Sequence, residues 1–324
     1  MTTYKTAESV SPRHPDKLCD RISDAILDAY LAVDENARVA VETVGGHGKV
    51  FVVGEVSSSV HPDIEPIVHR IAGEGEVEVR IVKQSPEIAQ GVDSGGAGDQ
   101  GIMVGYATSE TPELLPLETV FARSLNQHLY ARWQYDGKTQ VTLRDGVIES
   151  VVASFQHAPQ DELRGAVSEW LESHDSPQAI MHINPAGDWE VGGFDADTGL
   201  TGRKLVVDNY GPNIPIGGGC FSGKDPSKVD RSAAYMARKI AIDYLTARQA
   251  SEVYCYLAYA IGYDRPLEAT VIIDGKPENV EGYDLSPNGI ISYLELKKPI
   301  YEQTAEYGHF GHKQFSWEKI NNRT

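Results

Sequence analysis

Residues 217–235, Gly-Gly-Gly-Cys-Phe-Ser-Gly-Lys-Asp-Pro-Ser-Lys-Val-Asp-Arg-Ser-Ala-Ala-Tyr, hold the ingredients of an anion site. Glycines let backbone N–H groups approach a ligand closely, and Lys224, Lys228 and Arg231 add positive charge. Asp225 and Asp230 offer carboxylates of the kind that hold a hard cation. Residues 201–240 carry seven basic residues (Arg203, Lys204, Lys224, Lys228, Arg231, Arg238, Lys239) against three acids (Asp208, Asp225, Asp230), in a chain of formal net charge −18. Positive charge concentrated on an acidic protein points to a small, highly charged anion such as a polyphosphate. The run from Gly218 through Gly223-Lys224-Asp225 comes near a P-loop. That motif needs Ser or Thr where Asp225 stands, and a strand leading straight into the loop. Here the strand expected at 203–208 is separated from the glycines by a connector with two prolines. The P-loop reading fails and the anion cradle survives.

Two further groups could do chemistry. In His14-Pro15-Asp16-Lys17, Asp16 is placed to cap the helix that follows. The same four residues could also hydrogen-bond, ligate a hard cation and bind phosphate together. Glu42 and Glu55 lie on the two arms of a hairpin among apolar neighbours, either as solvated strand carboxylates or as ligand residues.

The elements that must position these groups follow from periodicity. Residues 17–33 place Leu18, Ile22, Ala25, Ile26, Ala29 and Val33 at helical spacing. Alternating runs at 38–44 and 49–56, joined by Gly45-Gly-His-Gly48, read as a hairpin. A helix at 63–72 and a strand at 76–82 complete the unit. The order recurs as a helix at 116–133, a hairpin (139–144, 147–156) turning at Asp145-Gly146, a helix at 160–173 and a strand at 178–183. It begins a third time with a helix at 228–249 and strands at 252–262 and 268–274. The expected fold is α/β of the α+β type: three pseudo-repeated domains (1–86, 96–191, 193–320), each a mixed sheet with helices on one face. So few helices leave one face of each sheet needing cover, which points to a homo-oligomer. The 324 residues allow a sizeable core. Strong acidity argues against a nucleic-acid surface. Three scattered cysteines indicate neither a zinc site nor a disulfide framework. With no apolar run near ~20 residues and no apolar N-terminal region, a cytoplasmic protein without membrane contact is expected.

HPDK at 14–17, GAGDQG at 96–101, GLTGRK at 199–204, GGGCFSGKDPSKVDRSAAY at 217–235 and YGHFG at 307–311 together resemble the S-adenosylmethionine synthetase (methionine adenosyltransferase) family. The resemblance runs through nearly the whole chain in order. It implies three pseudo-symmetric α/β domains and a homodimer with active sites at the interface, with a dimer of dimers also open. It implies ATP and L-methionine as substrates, two Mg²⁺ and a K⁺ per site, and cleavage of tripolyphosphate to pyrophosphate and phosphate. Carried over by motif, the catalytic set is His14, Lys17, Lys138, Arg203, Lys204 and Lys224. ATP would be held by His14, Asp136, Lys138, Trp189, Asp197, Arg203, Lys204, Cys220 and Lys224. Methionine would meet Glu55, Gln84, Asp99, Asp197 and Lys228. Asp16 and Asp230 are the Mg²⁺ carboxylates, and Glu42 the K⁺ ligand.

The chain departs from that pattern in places. It is shortened at 70–83, in the lid at 91–98 and around 274–290. Asp188-Trp189 stands where Arg-Phe is usual, and Cys220 where a small residue such as alanine is usual. Asp188 would repel phosphate if it faced the site. A non-catalytic nucleotide-binding or regulatory homologue is therefore the alternative to an enzyme.

Overall fold

The computed structural model describes residues 2–83 and 95–320. The first unit runs β1 (Tyr4–Val10), α1 (Pro15–Leu31), β2 (Arg38–Gly46), β3 (Lys49–Ser57), α2 (Glu65–Ala72) and β4 (Glu76–Val82). The second repeats that order as β5 (Gly101–Thr108), α3 (Leu117–Tyr130), β6 (Gly137–Arg144), β7 (Val147–Phe155), α4 (Gln160–Ser173) and β8 (Ile180–Ile183). The third comprises β9 (Gly199–Leu200), α5 (Leu205–Asp208), α6 (Val229–Arg248), β10 (Glu252–Tyr259), β11 (Glu268–Ile273), β12 (Lys276–Asn279) and α7 (Pro287–Tyr293).

These strands form three four-stranded sheets, ordered β9-β2-β3-β4, β1-β6-β7-β8 and β5-β10-β11-β12. Each is built on a hairpin whose two-residue turn (His47-Gly48, Asp145-Gly146, Asp274-Gly275) has positive φ at both positions in the first two sheets and at the outer edge of the third. That geometry matches the twist of paired strands. In the first two sheets a helix crosses over and the last strand returns parallel, β4 to β3 and β8 to β7. The third sheet lacks that crossover: Asp274-Gly275 turns β11 straight back into β12, and the sheet is antiparallel throughout. This is where the shortened stretch around 274–290 falls.

The sheets also exchange strands in a cycle. β1 from the first unit pairs with β6 of the second, β5 from the second with β10 of the third, and β9 from the third with β2 of the first. No unit completes its own sheet. Apolar packing follows the same sharing: one core joins the first and third units through Ile22, Ile26, Val39, Val52, Ile240, Val253 and Trp317. A second fills the central unit around Leu125, Val141, Val151, Phe155 and Leu163. Among the described residues no helix is long and apolar enough to cross a membrane.

One expected element has the wrong form. Residues 203–208 read as a strand from Leu205-Val-Val207, yet they form the short helix α5. The override is tertiary: the Arg123 guanidinium on α3 donates to the carbonyls of Val207, Asp208 and Asn209 at 2.8–3.3 Å, gathering them in a way that an extended chain would not.

Helix α6 lies so close on β5 that a Cβ added at Gly105 would sit 2.0 Å from the Ala237 carbonyl oxygen. Gly105→Val is therefore expected to force helix and strand apart, costing about 1–3 kcal/mol or more. A lowered urea midpoint by circular dichroism checks this, and an unchanged midpoint contradicts it.

Candidate active site

Helix α1 is the spine of the site. Pro15 opens it and His14 caps it, with His14 Nδ1 accepting the Asp16 N–H at 3.2 Å. The cap is thus His14 rather than Asp16, whose carboxylate is engaged elsewhere. Burial, reinforced by the nearby Lys204 charge, pushes the His14 pKa down to about 4. The ring is neutral at pH 7, and with Nδ1 accepting, its proton sits on Nε2 as a donor.

Four aspartates recur on α1 at every fourth position: Asp16, Asp20, Asp24 and Asp28. Each receives backbone N–H groups from a loop. Asp16 accepts from Leu200 (3.0 Å), Asp20 from Gly202 (2.8 Å), Asp24 from Gly223 (2.8 Å), and Asp28 from Tyr301 and Glu302 (2.9 Å each). Like charges four apart on a helix repel. Here cations interleave: Lys204 and Arg203 at Asp16, Lys17 at Asp20, Arg231 at Asp24. Sequence reasoning missed this ladder. Its signal was present as Asp-x3-Asp-x3-Asp-x3-Asp in an amphipathic helix.

One cluster of expected site residues gathers at the start of α1. Asp16 is buried; its oxygens meet the Lys204 ammonium, the Leu200 N–H and, at 3.5 Å, Arg203 Nε. Burial pushes its carboxyl upward, but Lys204, the Leu200 N–H and His14 outweigh that and hold it below its ordinary value. Lys138 on β6 and Asp197 lie near enough for their charges to reach His14. Asp136 is buried and accepts the Gly193 N–H at 3.0 Å, and burial raises its pKa. Trp189 is half-buried, its backbone carbonyl bonded to the His157 N–H at 3.0 Å. Asp188 accepts from Asn184 Nδ2 at 3.1 Å, so its charge serves its own turn.

A second cluster forms where the glycine-rich loop joins the first sheet. Gly223 O accepts the Val41 N–H (3.0 Å), the Asp225 N–H reaches Val39 O (2.9 Å), and Lys224 bridges to Ala40 like a further strand beside β2. The strand alternation puts Glu42 and Glu55 on the exposed face of β2 and β3. Both line, with Val53, Cys220 and Lys224, a cavity of about 240 Å³. Lys224 Nζ is 2.6 Å from Asp230 Oδ2, and Lys228 pairs with Asp225. Cys220 fits because position 202 is glycine: a Cβ there would lie 2.6 Å from the sulfur. At that point the loops of the two clusters touch. Asp99 is exposed and bonds its neighbour's N–H, the Gln100 amide. Gln84 and the first half of the shortened lid, 91–94, lie outside the described residues.

Lys17 is brought to neither cluster. It is buried, its ammonium 3.0 Å from Asp20 and 2.7 Å from Asp208. Three other cations counted from sequence also face inward. Arg231 pairs with Asp24 at 2.6 and 2.9 Å and also donates to the Lys224 carbonyl at 3.1 Å. Arg238 pairs with Glu318, and Lys239 with Asp243. A local charge sum could not see partners that arrive from 24 or 318.

Three repeated α/β units around a cation-lined junction describe an architecture that comparison with known proteins identifies. Family profiles match the S-adenosylmethionine synthetase N-terminal domain over residues 2–85, the central domain over 94–189 and the C-terminal domain over 191–319. The S-adenosylmethionine synthase of Treponema denticola is 43% identical over 373 aligned positions, covering 98% of this chain and 96% of the relative. That alignment is longer than the chain itself, so the relative carries residues where this chain has gaps. The chain belongs to the S-adenosylmethionine synthetase family, and it is an enzyme of the methionine adenosyltransferase class.

Two titrations test the site's electrostatics. Burial raises the Asp28 pKa to about 7, so its protonated form favours the fold. That contribution is present in acid and lost as pH rises through about 7. Asp28→Asn, compared with wild type, should therefore gain about 1–3 kcal/mol of relative stability between pH 5 and pH 8. A melting-temperature difference that does not change with pH contradicts this. For His14, NMR of the imidazole C–H should show no protonation above about pH 5; a resonance titrating near its ordinary pKa and missing in His14→Gln is the contrary result.

Proposed function

We propose that the two clusters are complementary halves of a composite site that joins ATP and L-methionine. The methionine sulfur attacks ribose C5′, tripolyphosphate departs, and it is then cut to pyrophosphate and phosphate. The observation that carries this reading is that Arg203, Lys204, Lys224 and Lys228, all at least partly exposed, sit on loops tied to α1 and β2 by backbone hydrogen bonds.

The chemistry suits these residues. A thioether has no proton to remove, so no general base is required. The departing triphosphate gains negative charge as the C–O bond opens, and preorganised cations stabilise that change. His14, neutral with Nε2–H free to donate, fits a contact to a phosphate oxygen rather than proton abstraction. Lys138, Asp136, Trp189 and Asp197 flank the same end and suit the nucleotide. Glu55, beside Lys224, suits the methionine ammonium, with Asp99 and Gln84 as further methionine residues. Lys17 acts from inside by holding Asp20, which holds the loop carrying Arg203 and Lys204.

Asp16 and Asp230 provide hard oxygens suited to Mg²⁺, and Glu42 one suited to K⁺. Among the described residues no three His, Cys, Asp or Glu side chains converge. This fits Mg²⁺, which takes few protein ligands and otherwise phosphate and water. Bound there, it would neutralise polyphosphate charge. The halves would meet across a homodimer, alone or paired again into a tetramer. Exposed Val44, Val53 and Ile102 on the open sheet faces support that cover. A cytoplasmic location accords with this metabolism. Asp188, the main residue favouring a non-catalytic homologue, is bonded to Asn184.

Incubation with ATP, methionine, Mg²⁺ and K⁺ should yield the sulfonium product by mass, with pyrophosphate. Lys224→Ala should lower kcat by about 10²–10³ while the protein stays folded. Near-normal turnover would remove Lys224 from the site.

A further inference from the structure

Both carboxylates assigned to metal are already covered by a cation that the same reading assigns to phosphate. Asp16 Oδ2 is paired with Lys204, while its Oδ1 accepts a backbone N–H and has the more distant Arg203 Nε at 3.5 Å. Asp230 Oδ2 is 2.6 Å from Lys224 Nζ, while its Oδ1 accepts the Gly219 N–H at 3.4 Å. The Asp16 side chain is only 2% exposed and that of Asp230 13%. A bare carboxylate at such depth is costly, so each needs a positive partner at all times.

We propose that Lys204 and Lys224 act as placeholders: each holds a metal carboxylate in the substrate-free protein and releases it only when polyphosphate draws the ammonium away. The inference rests on the functional reading above and extends it. A divalent cation arriving alone must displace an ammonium from its carboxylate with no phosphate present to receive it. Arriving with polyphosphate, it takes the carboxylate oxygens while the lysines turn to the phosphate oxygens. Charge stays balanced before and after, and neither aspartate is ever bare. Metal and polyphosphate should then bind with strong mutual dependence, and the site should reject free metal. Lys228 makes a contrasting pair. Its partner Asp225 gives both oxygens to backbone donors, the N–H groups of Val39 (2.6 Å) and Ser227 (2.8 Å), so freeing it exposes no metal position.

The test is Mn²⁺ binding followed by electron paramagnetic resonance at pH 8, without substrate, in wild type, Lys204→Met, Lys224→Met and Lys228→Met. Lys→Gln variants at the same positions serve where a methionine variant is not folded by circular dichroism. An opposite charge at this distance lowers a carboxylate's affinity for a proton by about 1–3 decades, and its affinity for a metal cation in the same direction. A gain of about tenfold or more in free Mn²⁺ affinity is therefore expected for Lys204→Met and Lys224→Met. Lys228→Met should show none. Wild type should bind Mn²⁺ at least about tenfold more tightly once tripolyphosphate is added, and both placeholder variants should lose much of that enhancement. If Lys204→Met and Lys224→Met bind free Mn²⁺ no better than wild type, or Lys228→Met gains as much, the placeholder idea is overturned. The functional reading fails separately, if wild type binds no Mn²⁺ with tripolyphosphate and forms no sulfonium product.

Discussion

The buried pair of Asp24 and Arg231 holds the most of this structure in one place. Both side chains are fully buried, and the guanidinium meets both carboxylate oxygens. It joins α1 of the first unit to α6 of the third. Asp24 also accepts the Gly223 N–H and Arg231 donates to the Lys224 carbonyl, so the pair grips the loop that presents Lys224. Leaving either charge without its partner would cost about 3–5 kcal/mol. Tyr235, Thr304 and His309 complete the hydrogen bonding around it. That satisfaction makes the burial of a charge tolerable.

The same logic repeats along α1. Each aspartate of the ladder is a fixed acceptor at a set height on a rigid helix, and together the four take N–H groups from three separate segments. The loops at 199–204, 217–228 and 301–302 are thereby indexed to one another through α1. Side chains on them inherit that precision without being on regular structure themselves. The cyclic exchange of β1, β5 and β9 acts at a larger scale. Since every sheet borrows a strand, relative movement of two units would break a ladder of hydrogen bonds. Shortening the third sheet at β12 affects an outer edge and leaves this exchange untouched.

Charges in this protein do two different jobs, distinguished by depth rather than by residue type. Lys17, Arg123, Arg231, Arg238 and Lys239 are internal, bonded to carboxylates or carbonyls, and build the frame. Arg203, Lys204, Lys224 and Lys228 retain access to solvent and pair with aspartates at the edge of the frame. Of the two sets, the second alone is placed to exchange partners with a ligand arriving from solvent.

The helices α1, α2, α3, α4 and α6, the first two hairpins and the turn at Asp145-Gly146 were legible from the chain alone, because apolar spacing and glycine turns are local properties; α5, α7 and β12 were not. The charged loop and the HPDK segment were legible too, since their residue types are rare in combination. The strands β1, β5 and β9 were not, because each pairs with a sheet from another unit and its partner is invisible in its own neighbourhood. Residues 203–208 took a helical turn because Arg123, some eighty positions away, claims their carbonyls. Which cations face a ligand was likewise decided only in three dimensions: Arg231 and Lys228 sit three residues apart on adjoining positions, and burial against Asp24 sends one inward while the other stays at the surface. Local pattern thus set the elements and the kinds of chemistry at hand. Long-range pairing of buried charges and strands decided where each group points, because a charge's partner and a strand's neighbour are chosen by the folded chain.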